Sequence, residues 1–195
     1  MRNRLLLAVL AAVTVTLSAC GINSIPTAEE NAKAKWADVQ NYYQRRSDLI
    51  PNLVNTVRAA AQQERTVLRE VTEARASASR ITVTGEQLTD PEAMARFSAA
   101  QAQLTLSLQR LQEAYPELRT NQNFLTLQDQ LEGTENRIAT ARRDYNEAVQ
   151  AYNTEIRTFP GVIGARVIYG SQPMTPFQAE EAAQRAPTVD FGNQQ

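Results

Sequence analysis

The stretch that decides the fold is residues 121–158, NQNFLTLQDQLEGTENRIATARRDYNEAVQAYNTEIRT. Apolar side chains recur in it at steps of three and four residues or their multiples, the spacing of one face of an α-helix. These side chains are Phe124, Leu127, Leu131, Ile138, Ala141, Tyr145, Val149, Tyr152 and Ile156. A helix of this length extends roughly 55 Å. Because a narrow apolar face can be buried only against other helices, the stretch predicts an elongated antiparallel bundle.

Toward the N-terminus, a second helical pattern covers residues 36–78. Thr27 and Glu30 have the spacing of a capping box, in which each side chain bonds a backbone N–H, so the first helix is predicted to begin there. Pro51 lies inside the pattern. Since proline lacks a backbone donor and clashes with the preceding turn, we expect a kink or a break near residues 48–50.

Two further breaks separate the remaining helices. β-branched side chains interrupt the helical pattern over residues 79–89. Asp90 and Pro91 then suit an N-cap and a first helical position. This helix should end before Pro116, because the residue preceding a proline avoids the α conformation. A short final helix is predicted over residues 175–185, and the fold class is all-α, an elongated antiparallel bundle of about four helices.

The N-terminus has the pattern of a secretory signal peptide. Residues 1–4 are basic, an apolar run follows over residues 5–17, and small side chains precede Cys20. A basic start, an apolar segment and small residues before a cleavage site define such a signal. The apolar run of about 13 residues is short for crossing a bilayer, for which a helix needs about 20. We predict that residues 1–19 are removed.

Cys20 is the only cysteine, and LSAC at residues 17–20 resembles the lipobox of bacterial lipoproteins. In a lipobox the cysteine sulfur, a strong nucleophile as its thiolate, receives a diacylglycerol. Lipidation would leave residues 20–26 as a tether and hold the chain on the membrane through several acyl chains. An uncleaved signal anchor is the alternative. By analogy with Gram-negative sorting, Gly21 in place of an aspartate favours the outer membrane, facing the periplasm, where the cell has one.

Composition narrows the chemistry. The chain contains no histidine and one cysteine, so it lacks the commonest general base and the commonest metal ligand. We predict no catalytic residues, no metal and no cofactor. Loss of Arg2 and Arg4 with the signal peptide leaves 18 basic residues against 21 acidic ones, a net charge of −3. Because phosphate binding needs a basic face, we predict no nucleic-acid partner.

Several sequence elements together match a known family. They are RRSDLIPNLV at 45–54, YPEL at 115–118, TENRIA at 134–139, YN at 145–146 and 152–153, and FP at 159–160. In these elements and their spacing, the chain resembles the LemA family over residues 36–160. The resemblance implies that the fold is a long antiparallel helical bundle. It implies no specific activity, because none is established for the family in general. Family members are often found alongside envelope proteins, including membrane zinc metalloproteases, which suggests partnership rather than catalysis. Many members carry what looks like a transmembrane segment where this chain has the lipobox.

Polar residues of the first helix and the long helix form the most site-like constellation. They are Arg45, Arg46, Asp48 and Asn52 in the first helix and Glu135, Asn136, Arg137, Arg142, Asn146 and Asn153 in the long one. Asn146 and Asn153 are seven residues apart and therefore repeat on one helix face. We predict that they form a buried hydrogen-bonded ladder against Arg45, Arg46 or Asp48, which would fix helix register. A site for a peptide or a lipid head group is the alternative.

An apolar turn follows the long helix, at Phe159, Pro160, Val162 and Ile163. It either folds back over the bundle end or offers a docking patch, since an exposed apolar patch usually marks an interface. We therefore predict that residues 27–160 form the bundle and that residues 161–195 form a C-terminal tail.

The sequence as a whole predicts a membrane-anchored scaffold or adaptor that binds another envelope protein of unknown identity. A carrier of a lipid or other apolar ligand in the bundle core is the alternative, because helical bundles can hold ligands between helices. An enzyme acting on the cell wall is disfavoured, because nothing in the spacing of the carboxylates makes two of them converge.

Overall fold

The structure is a computed structural model that describes residues 23–60 and 66–178. Its main helices are α1 (Ser24–Ala60), α2 (Thr66–Arg80), α3 (Pro91–Ala114) and α4 (Gln122–Glu155). The short α5 (Gly161–Gly164) continues into one π-helical turn, Ala165–Tyr169, and 3-10 turns occupy Gly85–Thr89 and Pro116–Thr120. No described residue lies in a strand. The predicted all-α helical bundle is confirmed.

Side-chain caps and a proline set the ends of α3 and the start of α4. Asp90 caps α3 by accepting a hydrogen bond from the backbone N–H of Glu92 at 2.9 Å, and Pro91 takes the first turn. This helix ends at Ala114, ahead of Pro116, as expected. Asn121 caps α4 through its side-chain oxygen, which accepts from two backbone N–H groups. Such caps satisfy donors that would otherwise lack a partner inside the helix.

The predicted start of α1 is wrong by three residues. The signal peptide and the lipidated cysteine lie outside the described residues, and α1 begins at Ser24, so the last part of the predicted tether is helical. Thr27 does not act as an N-cap, because its hydroxyl donates to the carbonyl of Asn23 at 2.9 Å. Pro26 falls in the first turn, where its missing N–H would have no helical partner.

Helix α1 continues through Pro51, so the break expected near residues 48–50 does not occur. Pro51 is exposed, whereas Ile50 and Leu53 are each 1% exposed. The carbonyl of Ser47, which Pro51 leaves without its helical donor, instead accepts a hydrogen bond from Arg75 Nε of α2 at 2.8 Å, and the apolar face of α1 stays buried. Tertiary packing of an apolar face outweighs local helix propensity in this arrangement.

Helices α1 and α4 run antiparallel and in register along their length. Ser24 Oγ donates to Glu155 Oε1 at 2.5 Å at one end, and Arg46 pairs with Glu135 farther along. Between these two pairs α1 advances by 22 residues while α4 goes back by 20. Helix α1 packs mainly on α4, and α2 packs mainly on α3. The start of α1 and the end of α4 therefore lie at the same end of the bundle.

The final helix predicted over residues 175–185 is wrong where it can be compared. Residues 170–178 carry no helix, and residues 179–185 lie outside the described part. Met174 and Phe177 are instead buried, at 4% and 6% exposed, in the main apolar cluster. The described end of the chain is thus part of the bundle core rather than a tail.

Candidate functional site

A polar layer divides the core of the bundle into two apolar clusters. We use this name for Arg46, Gln101, Thr105 and Glu135. In each helix that contributes to the layer, a buried residue before the layer belongs to one apolar cluster, and a buried residue after it belongs to the other. These flanking pairs are Tyr43 and Ile50 in α1, Phe97 and Leu104 in α3, and Ile138 and Leu131 in α4.

Arg46 is the centre of the polar layer and is 1% exposed. Its Nη1 donates to Thr105 Oγ1 at 2.9 Å and to Glu135 Oε1, and its Nη2 donates to Gln101 Oε1 at 2.7 Å. Its Cζ also lies 5.0 Å from the centre of the Tyr43 ring, within reach of a cation–π interaction. Because these partners come from different helices, one guanidinium ties α1 to both α3 and α4. A rigid planar fork with five donors suits this role better than lysine would.

An open groove lies beside the polar layer, between α3 and α4. Its volume is about 350 Å³. Leu108 and Leu131, both buried, provide apolar surface, and polar or acidic side chains form the rest. The lining residues are Thr105, Leu108, Gln109, Gln112, Leu131, Glu132, Glu135 and Asn136. The Glu135 side chain is 40% exposed, so the carboxylate that neutralises Arg46 also borders the groove.

The asparagine ladder exists, but its partner is not the one predicted. Asn146 donates to the Phe177 carbonyl at 3.1 Å and accepts from the Phe177 N–H at 2.8 Å. Asn153 makes the same pair of bonds with Met174, at 2.8 and 2.9 Å. Both amides therefore bond the backbone of the C-terminal segment, residues 172–178, instead of polar side chains of α1. The predicted partner is wrong because residues 172–178, predicted as part of a C-terminal tail, pack against α4 with Met174 and Phe177 buried.

The ladder works because two periodicities coincide. Seven helical residues advance about 10.5 Å, and three extended residues span about 10 Å. Asn146 and Asn153 therefore meet backbone groups three residues apart. The tyrosines repeat this relation, since Tyr145 donates to the Thr175 carbonyl at 3.0 Å and Tyr152 to the Gln172 carbonyl at 3.2 Å. The YN pairs of α4 hold the C-terminal segment in one register.

Burial affects the ionisation of both ladder tyrosines. Tyr145 is fully buried, and loss of solvation raises the pKa of its hydroxyl well above the usual range. Burial also raises the pKa of Tyr152. A buried phenol avoids ionising, because the charged form loses its hydration. Both hydroxyls therefore stay protonated, and can donate to the C-terminal segment, at higher pH than an exposed tyrosine would.

The other predicted site residues do not converge. Those at exposed positions are Arg45, Asp48, Asn52, Asn136 and Arg137. Arg142 is half-buried, with its Cζ 4.8 Å from the centre of the Phe177 ring and its Nη2 3.4 Å from the Gln178 carbonyl. The predicted constellation thus divides into the polar layer, the ladder and a set of exposed residues.

Sequence reasoning missed Gln101, Thr105 and Tyr43, which complete the surroundings of Arg46. One signal was available, because Gln101 lies between Phe97 and Leu104 on the apolar face of α3. A polar residue at such a position usually has a buried partner.

The apolar turn after α4 is exposed instead of folded back over the bundle end. Phe159 is 81% exposed and Ile163 56% exposed, Pro160 is exposed, and Val162 is half-buried. Three more exposed side chains extend it, Val167, Ile168 and Tyr169. The structure agrees with an available patch, and its docking role remains a prediction.

Among residues 23–60 and 66–178, no three histidine, cysteine, aspartate or glutamate side chains gather closely enough to hold a metal ion. No helix in the same part of the chain is both long enough and apolar enough to cross a membrane.

The fold and the polar layer define a class of protein, an all-α antiparallel bundle whose long helices are held in register by buried polar side chains. The comparison with known families agrees. A family model described as LemA family matches residues 35–191, which includes the C-terminal segment, and the chain belongs to the LemA family. No curated protein matches the sequence.

Proposed function

We propose that this protein is a membrane-anchored helical scaffold of the bacterial cell envelope that binds another envelope protein in the groove between α3 and α4. The observation that carries the proposal is the groove itself, which is open, partly apolar and bordered by a rigid polar layer. Amphipathic helices and loops of partner proteins bind in grooves of this kind through a few apolar anchors. Lipidation of Cys20 would supply the anchor.

The lining indicates the chemistry of the partner. Glu132 and Glu135 border the groove, whereas none of the described residues that line it is an arginine or lysine, and Arg46, which pairs with Glu135, is buried. The two leucines offer apolar surface in the same groove. We therefore expect a partner segment with one or two apolar anchors and a lysine or arginine that meets the acidic side. Opposite charges across such an interface speed association and exclude wrong partners.

In-cell photo-crosslinking followed by mass spectrometry tests the proposal. A photoreactive residue at exposed Gln109, inside the groove, should capture one dominant envelope protein. The matched control places the same residue at Gln150, which is exposed on α4 but outside the groove lining. Recovery of a lipid or glycan without a protein would contradict the scaffold and favour a carrier.

A charge reversal gives the second arm of this test. Glu132→Lys should abolish the crosslink from Gln109, because it repels the basic residue expected on the partner. Glu147→Lys makes the same change at an exposed glutamate that does not line the groove, and capture should persist. Equal capture by both variants would show that the acids of the groove do not recognise the partner.

The anchor is tested separately at Cys20. Cys20→Ser should abolish labelling by a fatty-acid probe and release the chain from membranes, since serine cannot accept the thioether-linked lipid. Membrane retention of the unlabelled variant would instead support an uncleaved signal anchor.

A further inference from the structure

Exposed apolar side chains are concentrated at one end of the bundle. We call residues 159–169 the apolar tip. In it Phe159 is 81% exposed, Val167 77%, Ile168 58%, Ile163 56% and Tyr169 42%. Among the large apolar side chains that the structure describes, only Leu106 outside this tip is comparably exposed. Such a concentration of apolar surface needs a partner.

The tip has a defined shape. Gly161 is buried against the end of α4, where a Cβ atom would come within 2.4 Å of the Glu155 carbonyl oxygen, so the turn approaches this closely only with glycine. The Val162 N–H donates to the Thr158 carbonyl at 2.8 Å. Gly170, with φ of 59°, lies in the left-handed region and ends the π-helical turn. These features present the apolar side chains from a folded surface.

The tip lies at the end of the bundle where α1 starts. Ser24, the first residue of α1, bonds Glu155, the last residue of α4, four residues before Phe159. Cys20 precedes Ser24 by four residues, a link that spans at most about 14 Å. Anchoring of the chain at Cys20 therefore holds the tip close to the bilayer surface.

The charges in the tip and just before it suit an anionic surface. Arg157 and Arg166 are exposed, and no acidic residue occurs between Glu155 and Glu180. Arginine can keep its guanidinium among head groups while its aliphatic part rests on apolar surface. Basic residues this close to a membrane are attracted by the negative surface potential of anionic lipids.

From these observations we infer that the apolar tip inserts into the membrane interface beside the anchor, so that the bundle stands on the bilayer at two points. Apolar and aromatic side chains with flanking arginines bind this way, about 5–10 Å into the boundary between head groups and acyl chains. Two contacts would restrict the tilt of the bundle and set the height of the groove above the membrane. The inference rests on the anchoring in the proposed function and is independent of the groove.

Tryptophan fluorescence in vesicles tests the inference. The variant Phe159→Trp, as the full chain extracted from membranes, is placed in vesicles of phosphatidylcholine and phosphatidylglycerol carrying bromine high on the acyl chains. Its added emission, after subtraction of the unsubstituted chain containing buried Trp36, should shift to the blue and be quenched. Quenching should weaken when the bromine is placed deep in the bilayer.

The matched control is Leu106→Trp, which replaces the other strongly exposed apolar residue. Its neighbour Thr105 bonds Arg46, 22 residues along α1 from Ser24, which places Leu106 about 33 Å from that end. Its added emission should remain that of tryptophan in water, without quenching.

Three results would overturn the inference. If the chain stays on the vesicles while the added emission of the Phe159→Trp variant is that of tryptophan in water, the anchor stands and the tip does not insert. Blue-shifted emission without quenching, together with crosslinks at the tip between two copies, would assign the tip to self-association. A chain that does not bind vesicles at all would reject both the anchor and the tip contact.

Discussion

The guanidinium of Arg46 and the carboxylate of Glu135 form an ion pair in which the arginine is buried and the glutamate is partly exposed to solvent. Arg46 is 1% exposed, whereas the side chain of Glu135 is 40% exposed. The arginine therefore depends on its protein partners for its charge to be compensated, while the glutamate keeps part of its hydration. Because of this difference in burial, the two residues contribute unequally to the stability of the protein. The carboxylate of Glu135 also stays accessible from the groove.

Arg46→Ala should lower the free energy of unfolding by about 1–3 kcal/mol, because it leaves buried polar groups of α3 without their donor. The substitution removes the donors that satisfy Gln101, Thr105 and Glu135, and it opens space between the two apolar clusters. Urea unfolding followed by circular dichroism measures the loss. Arg45→Ala, at the adjacent exposed position, should change stability by less than about 0.5 kcal/mol. Equal effects of the two substitutions would show that the polar layer does not stabilise the bundle.

Loss of a ladder asparagine should destabilise the protein through the C-terminal segment. Asn146→Ala or Asn153→Ala each removes two hydrogen bonds to the backbone, at a cost of about 1–3 kcal/mol when the groups left behind are buried. Thermal unfolding measures the change, with Asn136→Ala, exposed on the same helix, as the control. If stability is unchanged while partner capture is lost, the ladder is a ligand site and not a structural element.

Removal of the Phe177 ring should destabilise the whole bundle. Phe177 lies 5.6 Å from the Trp36 ring and 5.7 Å from the Tyr145 ring between centroids. Truncating a buried aromatic residue to alanine costs about 3–5 kcal/mol. Gln178→Ala, at the next and exposed position, is the control. A melting temperature of Phe177→Ala equal to that of the control would mean that the C-terminal segment detaches without cost.

Stability should fall with rising pH above about 10, where tyrosines of the unfolded chain ionise. Burial raises the pKa of Tyr145 in the folded protein, so the unfolded state loses this proton first. The stabilisation is thus complete below the unfolded pKa and declines as the pH rises above it. Denaturant midpoints measured across the alkaline range test this sign.

The control for the alkaline effect is Tyr145→Phe. It removes the hydrogen bond to the Thr175 carbonyl and should cost about 0.5–1.5 kcal/mol at neutral pH. Because the substituted residue cannot ionise, the decline above pH about 10 should be shallower than in the unsubstituted protein. Parallel curves for the two proteins would exclude Tyr145 as a source of the pH dependence.

The sequence by itself determined the all-α fold class and several helix ends. The apolar periodicity of α4, the cap at Asp90 and the stop before Pro116 depend on interactions within a few residues. Such local rules apply whatever the rest of the chain does, and these predictions agree with the structure. The same pattern indicated that Asn146 and Asn153 share one face of α4.

Only the tertiary structure decided what those faces meet. Periodicity places Arg46 on the apolar face of α1, between Tyr43 and Ile50, but does not name its partners. Nor does it show that the asparagines of α4 bond a segment more than twenty residues away. Likewise α1 continues through Pro51, because Ile50 and Leu53 on its apolar face are buried in the bundle core. The physical reason is that burial and hydrogen-bond partners depend on which distant elements come together, and periodicity specifies a face without naming its neighbour.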